Sequence, residues 1–179
     1  PLCSIACQKI IGDILKKNNM PDGISCLINV GAEFVHLLSE DIRVPFISAT
    51  GSTKMGRKVA AKVGARLGKS LLELGGNNAL IITPDANLKT TLLAAVFGAV
   101  GTAGQRCTST RRLLIHESVF NEVSKKIKVA YSQLKIGNPL DSSNHVGPLI
   151  DKYSVKNYLE ALKNITKEGG KWIVEGGLL

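Results

Sequence analysis

Two side chains with catalytic potential, Cys107 and Glu73, each lie close to glycine in a chain of 179 residues. Cys107 belongs to the segment Gly-Gln-Arg-Cys-Thr, which follows a long apolar run. A free thiol is mostly protonated at neutral pH, so a nucleophilic cysteine needs positive charge or a base nearby. Arg106, Arg111 and Arg112 could supply that charge. A lone cysteine is nevertheless more often a small core residue, so Cys107 by itself leaves both interpretations open.

Glu73 ends an apolar segment that is predicted to be a strand, in Leu-Leu-Glu-Leu-Gly-Gly. Ligands of α/β sheets bind at the ends of strands. Burial of a carboxylate favours its protonated form and makes it a stronger base. The position is compatible with a general base at Glu73, and a solvent-exposed or hydrogen-bonded carboxylate at the sheet rim is an equally good interpretation.

A third candidate is the turn from Thr50 to Gly56, which joins a predicted strand to a predicted helix. The free backbone N–H groups and the dipole of a helix start favour an anion such as a pyrophosphate. Gly51 would let the backbone approach that ligand closely, and Ser52 could donate its hydroxyl group. The turn is not a GxGxxG fingerprint, so a purely structural turn is an alternative of equal weight.

The spacing of apolar residues and the positions of Gly and Pro predict the elements that must hold these groups. Helices are predicted over residues 2–17, 32–39, 54–66, 87–102, 118–134 and 151–167, and strands over 25–30, 44–49, 69–74, 79–83 and 111–116. Pro45 is confined to a strand start or edge. The helix at 87–102 is apolar on all sides, which predicts burial between layers.

Strands that alternate with helices through short glycine turns predict βαβ units and a parallel sheet. The break at Gly75-Gly76 predicts a domain boundary, with residues 1–74 in one domain and 75–179 in the other. The predicted fold class is therefore α/β, with a partial Rossmann-like parallel sheet domain joined to a partial α/β catalytic domain.

The composition argues against several other classes of protein. The net charge of +9 suggests nucleic-acid binding, but the basic pairs are scattered and only 4% of residues are aromatic. The apolar run Leu92 to Ala103 is shorter than the roughly 20 residues that span a bilayer. Neither the four cysteines nor the three histidines have metal-ligand spacing. We therefore expect no nucleic acid, no membrane and no metal.

The cysteine spacing also lacks a disulfide framework, which indicates a reducing compartment. No targeting peptide is visible in the sequence. A cytoplasmic location is expected, with mitochondria as the alternative.

Five motifs, in this order and spacing, resemble the aldehyde dehydrogenase superfamily. Glu73 is followed 34 residues later by Cys107. The motifs are Thr50-Gly51-Ser52-Thr53, Glu73-Leu74-Gly75-Gly76-Asn77-Asn78, Gly104-Gln105-Arg106-Cys107, Gly137-Asn138-Pro139 and Gly147-Pro148. The Glu-Leu-Gly-Gly-Asn-Asn and Gly-Thr-Ala-Gly-Gln-Arg-Cys-Thr segments and the Arg111-Arg112 pair most resemble the antiquitin branch, the α-aminoadipic semialdehyde dehydrogenases.

The resemblance implies an NAD-dependent oxidation of an aldehyde to a carboxylate. Cys107 would attack the aldehyde to form a thiohemiacetal, whose hydride passes to NAD and leaves a thioester. Glu73 would activate the water that hydrolyses this thioester. The Cys107 backbone N–H would stabilise the oxyanion.

The resemblance also implies binding residues. Gly51 and Ser52 would hold the cofactor pyrophosphate, Leu74 would lie near the nicotinamide, and Gly31 would contact the cofactor. On the substrate side, Thr108 would line the site and Arg106 would bind the carboxylate of an amino-acid semialdehyde. Two further positions differ from the family pattern, since Ala49 stands where members usually have Phe and Val35 where they usually have Gly.

The motifs cover about the middle third of a family member, which predicts an internal fragment of an enzyme whose full-length form is a homo-oligomer. The alternative is a non-catalytic truncated remnant that keeps the motifs without their function. A basic nucleic-acid-binding module is the third hypothesis.

Overall fold

The computed structural model describes residues 2–31 and 34–178, except for the side chain of Val35. The chain divides into two compact units, Pro1–Glu73 and Leu74–Leu179. Each unit contains a two-stranded sheet and the helix that joins its strands. The α/β class predicted from the sequence is confirmed.

The first unit is built around strands β1 and β2, which are joined by helix α3. Its elements are α1 (Leu2–Lys17), α2 (Val35–Glu40), β1 (Phe46–Gly51), α3 (Thr53–Ala65) and β2 (Lys69–Leu74). Helix α3 packs on β1 and α2 and buries Val59 and Val63. Pro45 directly precedes β1, and its carbonyl accepts a hydrogen bond from the Lys69 N–H at 3.0 Å. The proline therefore takes the strand-start position expected for it.

The predicted strand at 25–30 does not form, and this prediction was wrong. The segment is irregular, and among the described residues of the unit the sheet consists of β1 and β2. Ile28 and Val30 are 66% and 56% exposed. A strand needs a neighbour for its backbone N–H and C=O groups, and nothing among residues 2–31 and 34–178 pairs with this segment. Residues 25–30 therefore have the apolar composition of a strand, but no neighbouring strand pairs with them in the described part of the chain.

The second unit is built around strands β3 and β4, which run parallel. Its elements are β3 (Asn78–Ile82), α4 (Leu88–Val100), β4 (Thr110–Ile115), α5 (Glu117–Ser132) and α6 (Lys152–Lys167). Helix α4 joins the two strands and packs on β4 and α5. Ile82, Ala95 and Val123 form the buried core of the unit.

Helix α4 is less buried than its sequence predicts. Ala95 is 2% exposed, whereas Leu93 and Phe97 are 69% and 68% exposed. Only the side of the helix that contacts β4 and α5 is covered, so the expectation of burial between two layers was wrong. The other predicted helices and strands form with ends within two residues of the prediction, apart from the helix at 32–39, of which residues 32 and 33 lie outside the described part.

Polar side chains fix the starts of three helices. Ser52 accepts a hydrogen bond from the Met55 N–H at 3.1 Å, Asn87 from Thr90 at 3.2 Å, and Asp151 from Ser154 at 2.7 Å. These bonds satisfy backbone donors that have no partner within a helix. The bonds from Ser154 lower the pKa of the Asp151 carboxyl below its ordinary value. Each cap therefore sets where its helix begins.

Candidate functional site

Cys107 lies in a tight turn between α4 and β4. The Ser109 N–H donates to the Arg106 carbonyl at 3.2 Å, and the Ser109 hydroxyl accepts from the Arg106 N–H at 3.2 Å. These two bonds close the Cys107 turn, residues 106–109, with Cys107 and Thr108 at its centre. Both central residues are exposed, whereas Ser109 is 1% exposed. The thiol is therefore accessible from solvent within its unit, and the interpretation of Cys107 as a core residue is not supported.

Side chains from β3 and β4 bind the carbonyl groups of the Cys107 turn. The Asn78 Nδ2 donates to the Cys107 carbonyl at 2.6 Å and to the Ser109 carbonyl at 3.1 Å. The Arg111 Nη2 donates to the Arg106 carbonyl at 3.1 Å. Three of the four carbonyls in the turn thus accept hydrogen bonds from side chains.

The same arginines connect the Gly-Gly-Asn-Asn motif to this turn. The Arg111 Nε donates to the Gly76 carbonyl at 3.0 Å, and the Arg112 Nε donates to the Asn77 carbonyl at 3.0 Å. Two motifs that are about 30 residues apart in sequence therefore meet within the second unit. The positive charge expected from Arg111 lies against the turn itself.

The backbone N–H groups of Cys107 and Thr108 donate no hydrogen bond to any residue that the structure describes. A backbone donor that is held in place and left unpaired can stabilise an oxyanion. The turn therefore combines an accessible thiol with a free donor on the same residue.

The chain enters the Cys107 turn through a left-handed segment. Thr102, Ala103 and Gly104 have φ values of 56°, 54° and 71°. Left-handed backbone costs non-glycine residues roughly 1–2 kcal/mol each, and such strain concentrates at functional sites. Gln105 ties the segment down, because its Nε2 donates to the Thr102 carbonyl at 3.2 Å and its Oε1 accepts from the Ile150 N–H at 3.0 Å.

The side chain of Arg106 packs against α4. Its guanidinium lies 5.2 Å from the centre of the Phe97 ring, and its Nη2 donates to the Phe97 carbonyl at a long 3.4 Å. Its Nε is buried without a partner among the described residues. The role of Arg106 in carboxylate binding stays a prediction, and it requires this weak arrangement to be exchanged for a substrate contact.

Glu73 is the second-last residue of β2 in the first unit, and its side chain is exposed. The burial that its sequence position suggests is absent, because the side of β2 that carries Glu73 is not covered by the rest of the unit. An exposed carboxylate at a strand end is the alternative that the sequence also allowed. Its role as a general base stays a prediction.

The predicted pyrophosphate turn has the geometry of a strand followed directly by a helix. Gly51 ends β1, Ser52 caps α3, and the helix begins at Thr53. The Ser52 hydroxyl accepts from the Met55 N–H, which leaves its own proton free to be donated. The structural function of this turn is thus visible, while its contact with a cofactor stays a prediction.

Two other predicted cofactor residues are placed as follows. Leu74 is half-buried at the end of β2, and Gly31 is exposed in irregular backbone. Their contacts with a cofactor are likewise untested predictions.

Asn78 and Ser109 are the residues that sequence reasoning missed. Asn78 was visible as part of the Gly-Gly-Asn-Asn motif, but its partners are 29 and 31 residues away. Ser109 lies two residues after the cysteine, and no motif in the sequence marks it as important. The role of Asn78 is seen only when β3 pairs with β4, whereas Ser109 acts within its own turn on the Arg106 N–H.

Across residues 2–31 and 34–178, no group of three or more His, Cys, Asp and Glu side chains could hold a metal ion. In the same residues no helix has the length and apolar character needed to cross a membrane.

Known proteins resemble the chain over nearly its whole length. The α-aminoadipic semialdehyde dehydrogenase of Rattus norvegicus is 49% identical over 176 residues, which are 98% of this chain and 32% of the relative. The aldehyde dehydrogenase family 7 member B4 of Arabidopsis thaliana is 45% identical over 177 residues, which are 99% of this chain and 35% of the relative. The chain thus spans about a third of the length of the curated relatives it matches.

Solved structures agree with these relatives. Glyceraldehyde-3-phosphate dehydrogenase of Methanocaldococcus jannaschii, complexed with NADP, matches with a TM-score of 0.95 and 35% identity over 99% of this chain and 39% of that one. The model of the aldehyde dehydrogenase family matches residues 1–178. With these matches and a parallel α/β fold that presents an accessible cysteine, the chain belongs to the aldehyde dehydrogenase family.

Proposed function

We propose that this chain carries the nucleophile and part of the cofactor site of an NAD-dependent aldehyde dehydrogenase that oxidises α-aminoadipic semialdehyde. The observation that carries the proposal is the Cys107 turn, in which an exposed thiol lies on a residue whose own N–H is free. The relatives at 45% and 49% identity support the reaction class, and the second, an α-aminoadipic semialdehyde dehydrogenase, supports the substrate. Because those relatives are about three times as long, the complete activity belongs to the whole protein.

In the first step the Cys107 sulfur attacks the carbonyl carbon of the aldehyde. The thiol releases its proton to solvent as the C–S bond forms, and negative charge develops on the carbonyl oxygen, where the Cys107 N–H stabilises it. The product is a thiohemiacetal. Loss of hydride from its carbon gives a thioester, and NAD, when bound, accepts that hydride.

In the second step water attacks the thioester carbon. Glu73 removes a proton from this water, the C–S bond breaks, and the carboxylic acid and the Cys107 thiol are released. An exposed carboxylate is reached by water directly. This role needs Glu73 to be near the thioester in the whole protein.

The start of α3 fits the pyrophosphate of the cofactor. Gly51 lets the backbone approach, the Ser52 proton is free, and Lys54 in the first turn of the helix adds positive charge. Leu74 and Gly31 would contact other parts of the cofactor. Thr108, exposed beside the thiol, would line the substrate site, and a substrate carboxylate would recruit Arg106 from its contact with Phe97.

The test is alkylation of the four cysteines by iodoacetamide, followed by peptide mass spectrometry. All four are exposed, so Cys3, Cys7 and Cys26 serve as internal controls. We expect Cys107 to react about tenfold faster than the controls, because the Arg111 guanidinium binds its turn and the Cys107 and Thr108 N–H groups are free. We also expect α-aminoadipic semialdehyde to slow alkylation of Cys107 alone, because thiohemiacetal formation consumes the thiol.

Two outcomes contradict the proposal. If Cys107 reacts no faster than Cys26 and the semialdehyde protects none of the cysteines, the remnant hypothesis is supported. If acetaldehyde protects Cys107 as well as the semialdehyde does, the reaction class stands and the substrate assignment is wrong.

A further inference from the structure

We propose that Asn78 is a positioning residue for Cys107, and that its carboxamide fixes the peptide group that follows the nucleophile. The inference rests in part on the proposed function, since it concerns how the thiol and its N–H are presented to an aldehyde. None of its geometry depends on the first unit, because Asn78 and the Cys107 turn both lie within Leu74–Leu179.

The carboxamide nitrogen of Asn78 makes both of its contacts with the Cys107 turn. The Asn78 Nδ2 lies 2.6 Å from the Cys107 carbonyl and 3.1 Å from the Ser109 carbonyl. A carboxamide nitrogen has two N–H donors, so both are used on the same turn. Asn78 is half-buried, and its position is set by the sheet, where it pairs with Thr110 and is followed by a register shift.

The neighbouring glycine makes room for this carboxamide. A Cβ atom on Gly76 would lie 2.9 Å from the Asn78 Oδ1, whereas a Cβ on Gly75 would meet nothing within 4 Å. The Asn78 Oδ1 cannot move aside without moving the Nδ2 off its two carbonyls. Glycine at position 76 and asparagine at position 78 are therefore parts of one arrangement.

Planarity of the peptide bond turns these contacts into control of Cys107. The carbonyl of Arg106 and the N–H of Cys107 belong to one rigid peptide group, and the carbonyl of Cys107 belongs to the next. The first group is held by Arg111 and Ser109 at the Arg106 carbonyl. The second is held by Asn78. Because both flanking peptide groups are fixed, the Cys107 N–H points in one direction. The Cα atom that carries the thiol side chain is likewise held in one position.

The test compares Asn78→Leu with Asn77→Leu in the whole chain. Leucine has nearly the shape of asparagine and donates no hydrogen bond. Asn77 is a matched control, because it is the adjacent asparagine, is exposed, and its side chain makes no hydrogen bond to the residues that the structure describes. Three quantities are measured for each variant: the alkylation rate of Cys107, the semialdehyde concentration that halves this rate, and hydrogen exchange of the Ser109 amide.

We expect Asn78→Leu to raise the protecting semialdehyde concentration about tenfold, because release of the peptide group after Cys107 lets the thiol shift relative to the N–H that stabilises the oxyanion. The alkylation rate without aldehyde should change less than threefold, since alkylation creates no oxyanion. Exchange of the Ser109 amide should become about tenfold faster, because the closing bond of the turn loses support. Asn77→Leu should resemble the parent chain in all three, and Asn78→Ser, with one remaining donor, should lie between.

A merely structural role gives a different pattern. If Asn78 only supports the sheet, exchange rises along the whole of β3 and β4, and alkylation and protection change by the same factor, which overturns the proposal. Should Asn78→Leu not fold, Gly76→Ala is the second variant, with Gly75→Ala as its control. The same changes are expected from Gly76→Ala alone, and equal behaviour of the two alanine variants overturns the proposal.

Failure of the proposed function is distinguishable from failure of this inference. If the parent chain shows no protection by any aldehyde, the proposed function fails, and the positioning role is judged by exchange of the Ser109 amide. Faster exchange in Asn78→Leu than in Asn77→Leu then supports it, and equal exchange overturns it.

Discussion

At the scale of single residues, the Cys107 turn depends on polar atoms that are not themselves reactive. Ser109 is 1% exposed, and its hydroxyl accepts the Arg106 N–H at 3.2 Å. A buried donor that loses its acceptor costs more than an ordinary hydrogen bond contributes. The conformation of the turn that carries Cys107 thus depends on a serine two residues later.

We predict that Ser109→Ala lowers the free energy of unfolding by about 1–3 kcal/mol, because it leaves the Arg106 N–H unsatisfied. Urea denaturation measures the change. Ser142→Ala is the control, since Ser142 is exposed and its hydroxyl has no partner among the described residues, so its effect should be within about 0.5 kcal/mol. Equal effects of the two substitutions would show that the Ser109 hydroxyl does not support the turn.

At the scale of elements, Ser52, the residue that directly precedes helix α3, has one observed role and one proposed role. Ser52 caps the helix, and the same residue is proposed to bind a pyrophosphate. Loss of a serine cap costs about 1 kcal/mol. A cap and an anion site can be separated experimentally, because aspartate accepts the cap bond as serine does but repels an anion.

We predict that Ser52→Ala lowers stability by about 1 kcal/mol, whereas Ser52→Asp keeps the stability of the parent and weakens NAD binding more than tenfold. Urea denaturation and calorimetric titration with NAD measure the two effects. Thr53→Asp is the control, because it adds the same negative charge one residue further into the exposed first turn. It separates the effect of the added charge from the effect of its position. If Ser52→Asp binds NAD as tightly as the parent does, the turn does not hold the pyrophosphate.

At the scale of the whole molecule, the chain leaves much apolar surface open. In the first unit Ile10 is 61% exposed, and in the second unit Leu93 and Phe97 are 69% and 68% exposed. In the second unit an apolar cavity of about 1060 Å³ opens between the end of α4, helix α6 and residues 172–178. Apolar surface of this extent is typical of interfaces, and the relatives are about three times as long.

We predict that urea unfolding of the chain has a lower denaturant dependence than compact proteins of 179 residues show, because that slope scales with the surface newly exposed. The chain should also bind the dye ANS in its native buffer. A compact protein of similar length is the reference for both measurements. A slope equal to that of the reference, together with no ANS fluorescence, would show that the exposed surface is covered in solution.

Much of this architecture was readable from the sequence because it depends on local patterns. Helical periodicity and glycine breaks located α1, α3, α5 and β2 to within two residues, and the motifs around Glu73 and Cys107 indicated the family. These features are determined by residues that are neighbours in the chain, so no tertiary information is needed to recognise them.

Tertiary structure decided what depends on a partner distant in sequence. The segment 25–30 has a strand's composition but no strand beside it in the part of the chain that the structure describes, and α4 is apolar all round but covered on one side only. Asn78 acquires its role only when β3 pairs with β4 and brings it to carbonyls 29 and 31 residues away. Burial, strand pairing and long-range hydrogen bonds each depend on two segments that are distant in sequence. The residue pattern of one segment therefore does not predict them.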